Sequence, residues 1–148
     1  MNLVRSLKLN KLRLTIQKRN LSFIELGNGD PLLDPIILCH GLLGNKNNFG
    51  TVGRELHKRT GRTVFSLDMV NHGTARRSDH VSYQDMADEI DLAIDELADG
   101  SAVLIGHSMG GRVVMWEAEM SGHPCPMFVR VRGFQTCPCP NPCPCPKS

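Results

Sequence analysis

Short apolar runs alternate with longer segments of helical periodicity along residues 21–120. The apolar runs predict four strands, at residues 22–26, 35–39, 63–67 and 102–105. The first is expected to be an antiparallel strand at the edge of a sheet. The last is a continuous apolar run, as expected of a central parallel strand that is buried on both faces.

Two helices are predicted between these strands, and a third follows the last strand over residues 111–120. The first helix begins at Asn48 and ends at Gly61. Its apolar face is formed by Phe49, Val52 and Leu56.

The second helix is capped by Ser82, with Asp85 three residues later as in a capping box, and Gly100 ends it. Its buried stripe consists of Tyr83, Met86, Ile90, Ile94 and Leu97. Acidic residues form a solvated face rather than a metal site, namely Asp85, Asp88, Glu89, Asp91, Asp95, Glu96 and Asp99. The alternation of strands and helices predicts an α/β fold with a mostly parallel sheet and flanking helices.

The most specific motif is Gly-x-Ser-x-Gly at residues 106–110, directly after the last predicted strand. This pattern is typical of a nucleophile elbow, in which the serine stands at the tip of a sharp strand-to-helix turn. A serine hydroxyl is a weak nucleophile, so a base and a carbonyl group must both be able to reach it. Ser108 is therefore the candidate nucleophile, and Gly106 and Gly110 allow the two arms of the turn to approach closely.

Two backbone N–H groups are candidates for an oxyanion hole, which stabilises the negative oxygen of a tetrahedral intermediate. One belongs to Met109, at the N-terminus of the helix that follows the serine. The other lies in the glycine-bearing turn after strand 35–39, where Leu42 is the best-placed donor and Leu43 is the alternative.

Three polar side chains beside these motifs are interpreted as structural, namely His40, Asp68 and His72. All three precede Ser108, whereas the triad order that accompanies a nucleophile elbow is Ser, then Asp or Glu, then His. His40 is expected to shape its loop. Asp68 and His72 are expected to cap backbone groups in a turn at the carboxyl edge of the sheet.

Together these segments resemble the α/β-hydrolases, most closely the abhydrolase-domain protein eleven group of mitochondrial esterases and lipases and its bacterial esterase relatives. The matching stretches are His40–Phe49, Asp68–Gly73, Ser82–Tyr83 and Gly106–Gly111. The resemblance implies an α/β-hydrolase fold and a serine ester hydrolase, carboxylesterase or lipase-like, that needs no cofactor. Its implied substrates are acyl or lipid esters, with diacylglycerol as one example.

The acid and the histidine of a triad are not found after Ser108. The acids there are Glu117 and Glu119, on a helix that leads away from the serine by about 1.5 Å per residue. With His123, they are interpreted as a surface face and a turn. The resemblance places the family's acid and base after later strands, so residues 21–120 are expected to be a C-terminally truncated, N-terminal half of the fold. A catalytically inactive isoform or fragment is therefore the alternative to an active esterase.

Residues 121–148 differ sharply in composition, because they hold five of the six cysteines and seven of the nine prolines. Proline at alternate positions predicts an irregular or disordered tail. The Cys-x-Cys spacing does not suit a zinc site, and a disulfide framework does not suit a chain without a secretory signal. No metal site is predicted, and the tail is expected to come from an alternative or misread exon.

Residues 1–24 hold six basic residues and no acid, although the net charge of the whole chain is only +2. This bias predicts a mitochondrial targeting peptide over residues 1–20. The alternatives are an edge strand and a cytoplasmic location. Nucleic-acid binding is disfavoured because the basic run lacks interleaved aromatic residues, and no apolar run is long enough to span a membrane. The expected partner is a small acyl or lipid ester.

Overall fold

The computed structural model describes residues 21–120, without the side chains of residues 118–120. The predicted leader and tail, with His123, lie outside the described residues. In chain order the elements are β1 Phe23–Gly27, β2 Ile36–Cys39, a 3-10 turn Lys46–Phe49, α1 Gly50–Thr60, β3 Val64–Leu67, α2 Tyr83–Ala98, β4 Val103–Gly106 and α3 Met109–Met120. The predicted α/β class is confirmed.

The four strands form one sheet in the order β1-β3-β2-β4. β1 is antiparallel to β3 and stands at one edge, as predicted. β2 is parallel to both of its neighbours, β3 and β4. The prediction that residues 102–105 form a parallel strand buried on both faces is confirmed, and within residues 21–120 β4 pairs with β2 alone. The apolar run reflects burial of Leu104 and Ile105 on opposite faces of the sheet, which does not depend on the number of paired strands.

Helices cover both faces of the sheet, which explains why consecutive strand residues are apolar. On one face, alternate residues such as Ile37, Phe65 and Leu104 pack with residues of α2 and α3. The other face is formed by Ile36, Leu38, Val64 and Ile105, against which Leu26, Phe49 and Leu56 pack. Because β2, β3 and β4 are parallel, their carboxyl ends lie at the same end of the sheet, where the loops of the candidate site meet.

The helical segment before β3 begins earlier than the predicted Asn48. Asn45 caps it: the Asn45 side chain accepts from the Asn47 N–H at 2.9 Å, and the Asn48 side chain accepts from the Asn45 N–H at 2.6 Å. Asn48 is thus the third residue of a capping box rather than the cap itself. The C-terminal end of α1 is as predicted, because Gly61 takes a left-handed φ of 68° there.

One residue of the predicted apolar face of α1 is on the wrong side. Val52 is 51% exposed, whereas Phe49 and Leu56 pack against the sheet. The buried position between them belongs to Gly53, where a Cβ would lie 2.3 Å from Leu26 Cδ1. The missing side chain of Gly53 therefore lets α1 approach the sheet closely.

The capping box of α2 is confirmed, since the Ser82 hydroxyl accepts from the Asp85 N–H at 3.1 Å and the Asp85 carboxylate accepts from the Ser82 N–H at 2.7 Å. The C-terminal end differs by one residue. Asp99 takes the left-handed conformation, with a φ of 52°, before the predicted Gly100 is reached.

Two residues of α2 lie on the side opposite to that predicted. Tyr83, the first residue of the helix, is 39% exposed rather than part of the buried stripe. Glu89 is not solvated, because its carboxylate accepts from the Val70 N–H at 2.8 Å and from Arg76 Nε at 2.9 Å. Burial raises the pKa of Glu89. Glu89 therefore joins α2 to the loop that follows β3.

Candidate active site

Ser108 stands at the junction between the end of β4 and the start of α3, and its side chain is exposed. Its φ of 53° is left-handed, a conformation that costs about 1 kcal/mol or more for a residue with a side chain. The turn is fixed by the Gly110 N–H, which donates to the carbonyl oxygens of His40 at 3.1 Å and His107 at 3.0 Å. The fold thus holds this serine in a strained, projecting position.

Close backbone contacts on both sides of Ser108 require glycine. A Cβ at Gly106 would lie 2.4 Å from the carbonyl oxygen of Gly110, and a Cβ at Gly110 would lie 2.4 Å from the carbonyl oxygen of Cys39. Such approaches are far shorter than a van der Waals contact, and backbone atoms cannot move aside as the end of a flexible side chain can. These two positions allow β2, β4 and α3 to meet beneath the serine.

The loop after β2 forms the wall that faces Ser108. A Cβ at Gly41 would lie 3.2 Å from Ser108 Cβ, so this loop and the elbow are in contact. The Gly44 N–H donates to the Gly41 carbonyl oxygen at 3.0 Å, and Leu43 within this turn takes a left-handed φ of 61°. The side chains of Leu42 and Leu43 are 69% and 90% exposed. The loop is therefore tightly turned, yet its apolar side chains are not packed into the core.

A pocket of about 390 Å³ lies between this loop and the elbow. Apolar side chains of Leu42, Leu43 and Phe49 line it, together with the polar side chains of His40, Asn48, His107 and Ser108. The volume is within the range of small-molecule sites, which begins at about 300 Å³. The pocket therefore combines one exposed hydroxyl with a wall of both apolar and polar side chains.

The backbone N–H groups of Leu42 and Leu43, which line the pocket, and of Met109, which directly follows Ser108, donate no hydrogen bond to any residue that the structure describes. Met109 is the first residue of α3, where helix geometry leaves the N–H groups without an intrahelical acceptor. All three are therefore candidate donors to an oxygen that becomes negative beside Ser108.

The His40 ring is 1% exposed and links two loops. Its Nε2 accepts from the Met69 N–H at 3.1 Å, so Nδ1 carries the proton and donates to the Gly41 carbonyl oxygen at 2.8 Å. Burial lowers the pKa of His40, which keeps the ring neutral. The structure thus confirms that His40 shapes the loop.

The Asp68 carboxylate is buried just after β3 and accepts hydrogen bonds from three chain segments. The donors are the Lys46 N–H and Lys46 Nζ, both at 2.6 Å, and the Thr74 N–H and the Ser22 hydroxyl, both at 2.8 Å. Burial alone would raise the pKa of Asp68, but these hydrogen bonds outweigh it and hold that pKa well below its usual range. The predicted capping role is confirmed, while Lys46 is a partner that no local spacing reveals.

His72 also caps its turn, with Nδ1 at 2.8 Å from the Val70 carbonyl oxygen.

Replacing Asp68 by asparagine is expected to destabilise the chain by about 3 kcal/mol at pH 7, because the Lys46 ammonium loses its buried counter-ion. The pKa of Asp68 is lower in the folded than in the unfolded chain, where it is about 3.9. The stabilisation is therefore fully present above the unfolded value and is lost as the pH falls towards the folded value. Urea unfolding at pH 7 and pH 3 should show a smaller effect at pH 3. Asp91→Asn, an exposed carboxylate of α2, is the control, and an equal loss for Asp68→Asn at both pH values would contradict this explanation.

Glu117 is buried, with 4% exposure, and the prediction that it belongs to a surface face is wrong. The cause is that α3 packs against both the sheet and α2, so more of its circumference is covered than an outer helix would have. Burial, with a smaller contribution from the Glu117 carboxylate, raises the pKa of Cys39 to about 12. The Cys39 thiol is therefore protonated and is not a second nucleophile. The side chain of Glu119 lies outside the described residues.

No side-chain hydrogen bond in the described part of the chain reaches the Ser108 hydroxyl. The rings of His40, His57 and His72 each bond to backbone groups instead. Residues 21–120 thus present an exposed serine as the candidate nucleophile and candidate oxyanion donors, but no general base in contact with that serine.

The same range contains no group of three or more His, Cys, Asp or Glu side chains that could hold a metal ion. Among its helices, none has the length and apolar character needed to cross a membrane.

A family model described as the alpha/beta hydrolase fold matches residues 34–143. The chain belongs to the alpha/beta hydrolase family. The resemblance stated from the sequence is confirmed, and the matched range includes β2, β3, β4 and the elbow at Ser108.

Named relatives of this alpha/beta hydrolase chain include lipases and an acyltransferase. The sn-1-specific diacylglycerol lipase ABHD11 of Xenopus laevis is 42% identical over 91 residues, which are 62% of this chain and 29% of that protein. A probable alcohol acetyltransferase of Saccharomyces cerevisiae is 39% identical over 109 residues, or 72% of this chain and 32% of that protein. A solved monoacylglycerol lipase of Paleococcus ferrophilus has a TM-score of 0.63 and 28% identity, covering 74% of this chain and 42% of that one. The chain spans about a third of the length of the curated relatives it matches.

Proposed function

We propose that this chain carries the nucleophile side of a serine ester hydrolase site, with Ser108 as the nucleophile and the N–H groups of Leu42 and Met109 as the oxyanion hole. The observation that carries the proposal is the exposed Ser108 side chain at a φ of 53°, opposite a loop with free N–H groups. Glycine would adopt this backbone conformation at lower cost, so packing does not explain a serine here. A serine at this position is explained if its hydroxyl is a nucleophile that must project from the backbone.

In the proposed reaction, the Ser108 hydroxyl oxygen attacks the ester carbonyl carbon while its proton passes to a general base. The carbonyl oxygen becomes negative and accepts hydrogen bonds from Leu42 and Met109, each worth about 3 kcal/mol in the transition state. The alcohol leaves with a proton from the base, and water then releases the acid from the acyl-serine. The base and its orienting acid are expected from outside residues 21–120.

The pocket supports acyl or lipid esters as the substrate class. Its apolar lining residues are Leu42, Leu43 and Phe49, which suit an acyl chain better than a charged group. Two relatives bear the names of a diacylglycerol lipase and a monoacylglycerol lipase, which supports glycerolipid esters within that class. This chemistry requires no cofactor.

The second candidate is a catalytically inactive isoform or fragment. It is favoured by the absence, within the described residues, of a histidine bonded to Ser108. It is also favoured by the position of Glu117, nine residues along α3 and therefore about 13 Å from the serine.

Hydrolysis of p-nitrophenyl butyrate by the full chain and by a chimera separates the two candidates. In the chimera, residues 21–120 are followed by the part of the Xenopus laevis lipase that comes after its matched segment. That part should supply an acid and a histidine in the order this fold uses. We expect the chimera to turn over the ester, and the full chain to match its own Ser108→Ala variant within about twofold.

Turnover by the full chain that depends on Ser108 would show that the chain already holds a base and an acid. A folded chimera without activity would remove the proposed function.

For location, we propose import into mitochondria, which is supported by the acid-free basic segment at residues 1–20. A fluorescent reporter fused after residue 20 should enter mitochondria because import acts on positively charged leaders. Replacing Arg5, Lys8, Lys11 and Arg13 by glutamine should leave the reporter in the cytosol. Retention of the unaltered fusion in the cytosol would favour the edge-strand interpretation and a cytoplasmic location.

A further inference from the structure

We propose that Lys46 and Asp68 are positioning residues for the oxyanion hole. Their ion pair fixes the loop at residues 41–45 so that the Leu42 N–H faces Ser108. This inference rests on the proposed function, because it concerns the same site.

Lys46 binds one carboxylate through both its backbone and its side chain. The Lys46 N–H donates to Asp68 Oδ1 and Lys46 Nζ donates to Asp68 Oδ2, both at 2.6 Å. The ammonium also donates to the hydroxyl oxygens of Thr74 at 2.6 Å and Ser22 at 2.9 Å, so its three hydrogens all have acceptors. The Lys46 side chain is only 16% exposed and that of Asp68 is fully buried. Lys46 is therefore held in one orientation.

The ion pair affects the candidate site because Lys46 lies next to the loop that faces Ser108. Lys46 directly follows the loop at residues 41–45, and His40 directly precedes it. His40 is bonded to Met69 and Lys46 to Asp68, so two consecutive residues at the end of β3 hold both ends of the loop.

Gly41 lies against the elbow, but among the described residues no side-chain hydrogen bond reaches Leu42 or Leu43 in the middle of the loop. The side chains of Leu42 and Leu43 are mostly exposed, and the loop's internal backbone hydrogen bond runs from Gly44 to Gly41. Because apolar packing does not place the loop, the position of the Leu42 N–H depends on the anchors at its two ends.

A role in stability alone explains the pair less well. Apolar residues of similar volume often replace a buried ion pair without loss of stability, so charge is not needed merely to fill this space. An oxyanion donor, by contrast, must lie at 2.7–3.1 Å from the negative oxygen, and its loss costs about 100-fold to 1000-fold in rate. Gly73 adds to the fit, since a Cβ there would lie 2.3 Å from the Asp68 carboxylate.

The test is the rate at which the full chain reacts with an alkyl fluorophosphonate. The Ser108 oxygen attacks phosphorus, the P–F bond breaks, fluoride leaves and the hydroxyl proton passes to solvent. The phosphoryl oxygen becomes more negative during attack, so the reaction reports on the oxyanion hole without a complete triad. Mass spectrometry of one digest gives the rates at Ser108 and at the exposed Ser101, which serves as an internal reference.

Three variants distinguish positioning from general stability. Lys46→Met removes the charge but keeps a stem of similar length, and Lys46→Arg keeps the charge. Arg59→Met is the matched control, because it breaks the exposed ion pair between Arg59 and Glu55 on α1. Circular dichroism melts select a temperature at which each variant is folded.

We expect Lys46→Met to lower the ratio of the Ser108 rate to the Ser101 rate by about 10-fold to 100-fold. Lys46→Arg should recover part of that loss, and Arg59→Met should leave the ratio unchanged. If Lys46→Met does not fold, Thr74→Val removes an acceptor of the ammonium at nearly constant shape and should lower the ratio by about threefold.

The positioning role would be overturned if Ser108 reacts preferentially and Lys46→Met, or Thr74→Val in its place, leaves that preference unchanged. The proposed function would then still stand. Equal reaction of Ser108 and Ser101 in the unaltered chain would overturn the proposed function itself.

Discussion

Replacing Ser108 by alanine in the chimera with the Xenopus laevis lipase is expected to lower kcat/KM for p-nitrophenyl butyrate by about 10⁴-fold or more. The substitution removes the proposed attacking oxygen and leaves the loop, the pocket and both candidate oxyanion donors in place. What remains is attack by water on an ester whose carbonyl oxygen is still hydrogen-bonded. Initial rates over a range of substrate concentrations measure this loss.

Ser101→Ala in the same chimera is the matched control. Ser101 is an exposed serine just before β4, and the only hydrogen bond that the structure shows for it is from its backbone N–H to Ala98. Its removal should leave kcat/KM unchanged. A loss of less than about tenfold for Ser108→Ala would mean that another group attacks the ester.

Replacing Gly110 by alanine is expected to destabilise the full chain by about 2 to 3 kcal/mol. The added Cβ would lie 2.4 Å from the Cys39 carbonyl oxygen and 2.5 Å from that of His40. Relief requires β2 and α3 to separate, which disrupts the contact beneath Ser108. Alanine's better helix propensity, worth about 1 kcal/mol, offsets only part of this cost. Urea unfolding monitored by circular dichroism measures the change.

Gly50→Ala provides a control of opposite sign. Gly50 begins α1 with a helical φ of −52°, and a Cβ there would lie no closer than 3.6 Å to its nearest neighbour, the Arg54 side chain. This variant should gain about 0.5 to 1 kcal/mol, since alanine restricts the unfolded chain more than glycine does. Equal changes for the two variants would show that the contacts of Gly110 do not control stability.

Features that depend on neighbours within about four residues were predictable from the sequence. The capping box of Ser82 and Asp85 and the helix end at Gly61 follow from local hydrogen bonds and local backbone preference. The elbow motif belongs to the same class, because the spacing of Gly106, Ser108 and Gly110 is itself a description of the turn.

Features that depend on contacts between distant segments were not predictable. Gly53 of α1 faces the core, and it is a glycine because Leu26 of β1 occupies the space that a side chain would need. Glu89 is partly buried and bonded because its carboxylate oxygens accept from Val70 and Arg76 in the loop after β3. Nothing in the local pattern distinguishes such a glycine or carboxylate from one that faces solvent.

In the candidate site, too, local features were predictable from the sequence and long-range contacts were not. The sequence located Ser108 and the loop opposite it, since both lie in short motifs. It did not reveal that Lys46 binds Asp68, a pair separated by 22 positions, or that Leu43 takes a left-handed φ within the pocket wall. The pairing of Lys46 with Asp68 follows from how β2 and β3 end side by side, which only the folded sheet establishes.

The central claim, that Ser108 is the nucleophile, is tested most directly by locating the phosphonyl group after the unaltered full chain reacts with an alkyl fluorophosphonate. We expect mass spectrometry to find the adduct on Ser108, with Ser101 reacting about 100-fold more slowly, because Ser108 lies next to the candidate oxyanion donors and Ser101 precedes β4. Adducts distributed evenly between these two serines, in a chain shown to be folded, would contradict the claim.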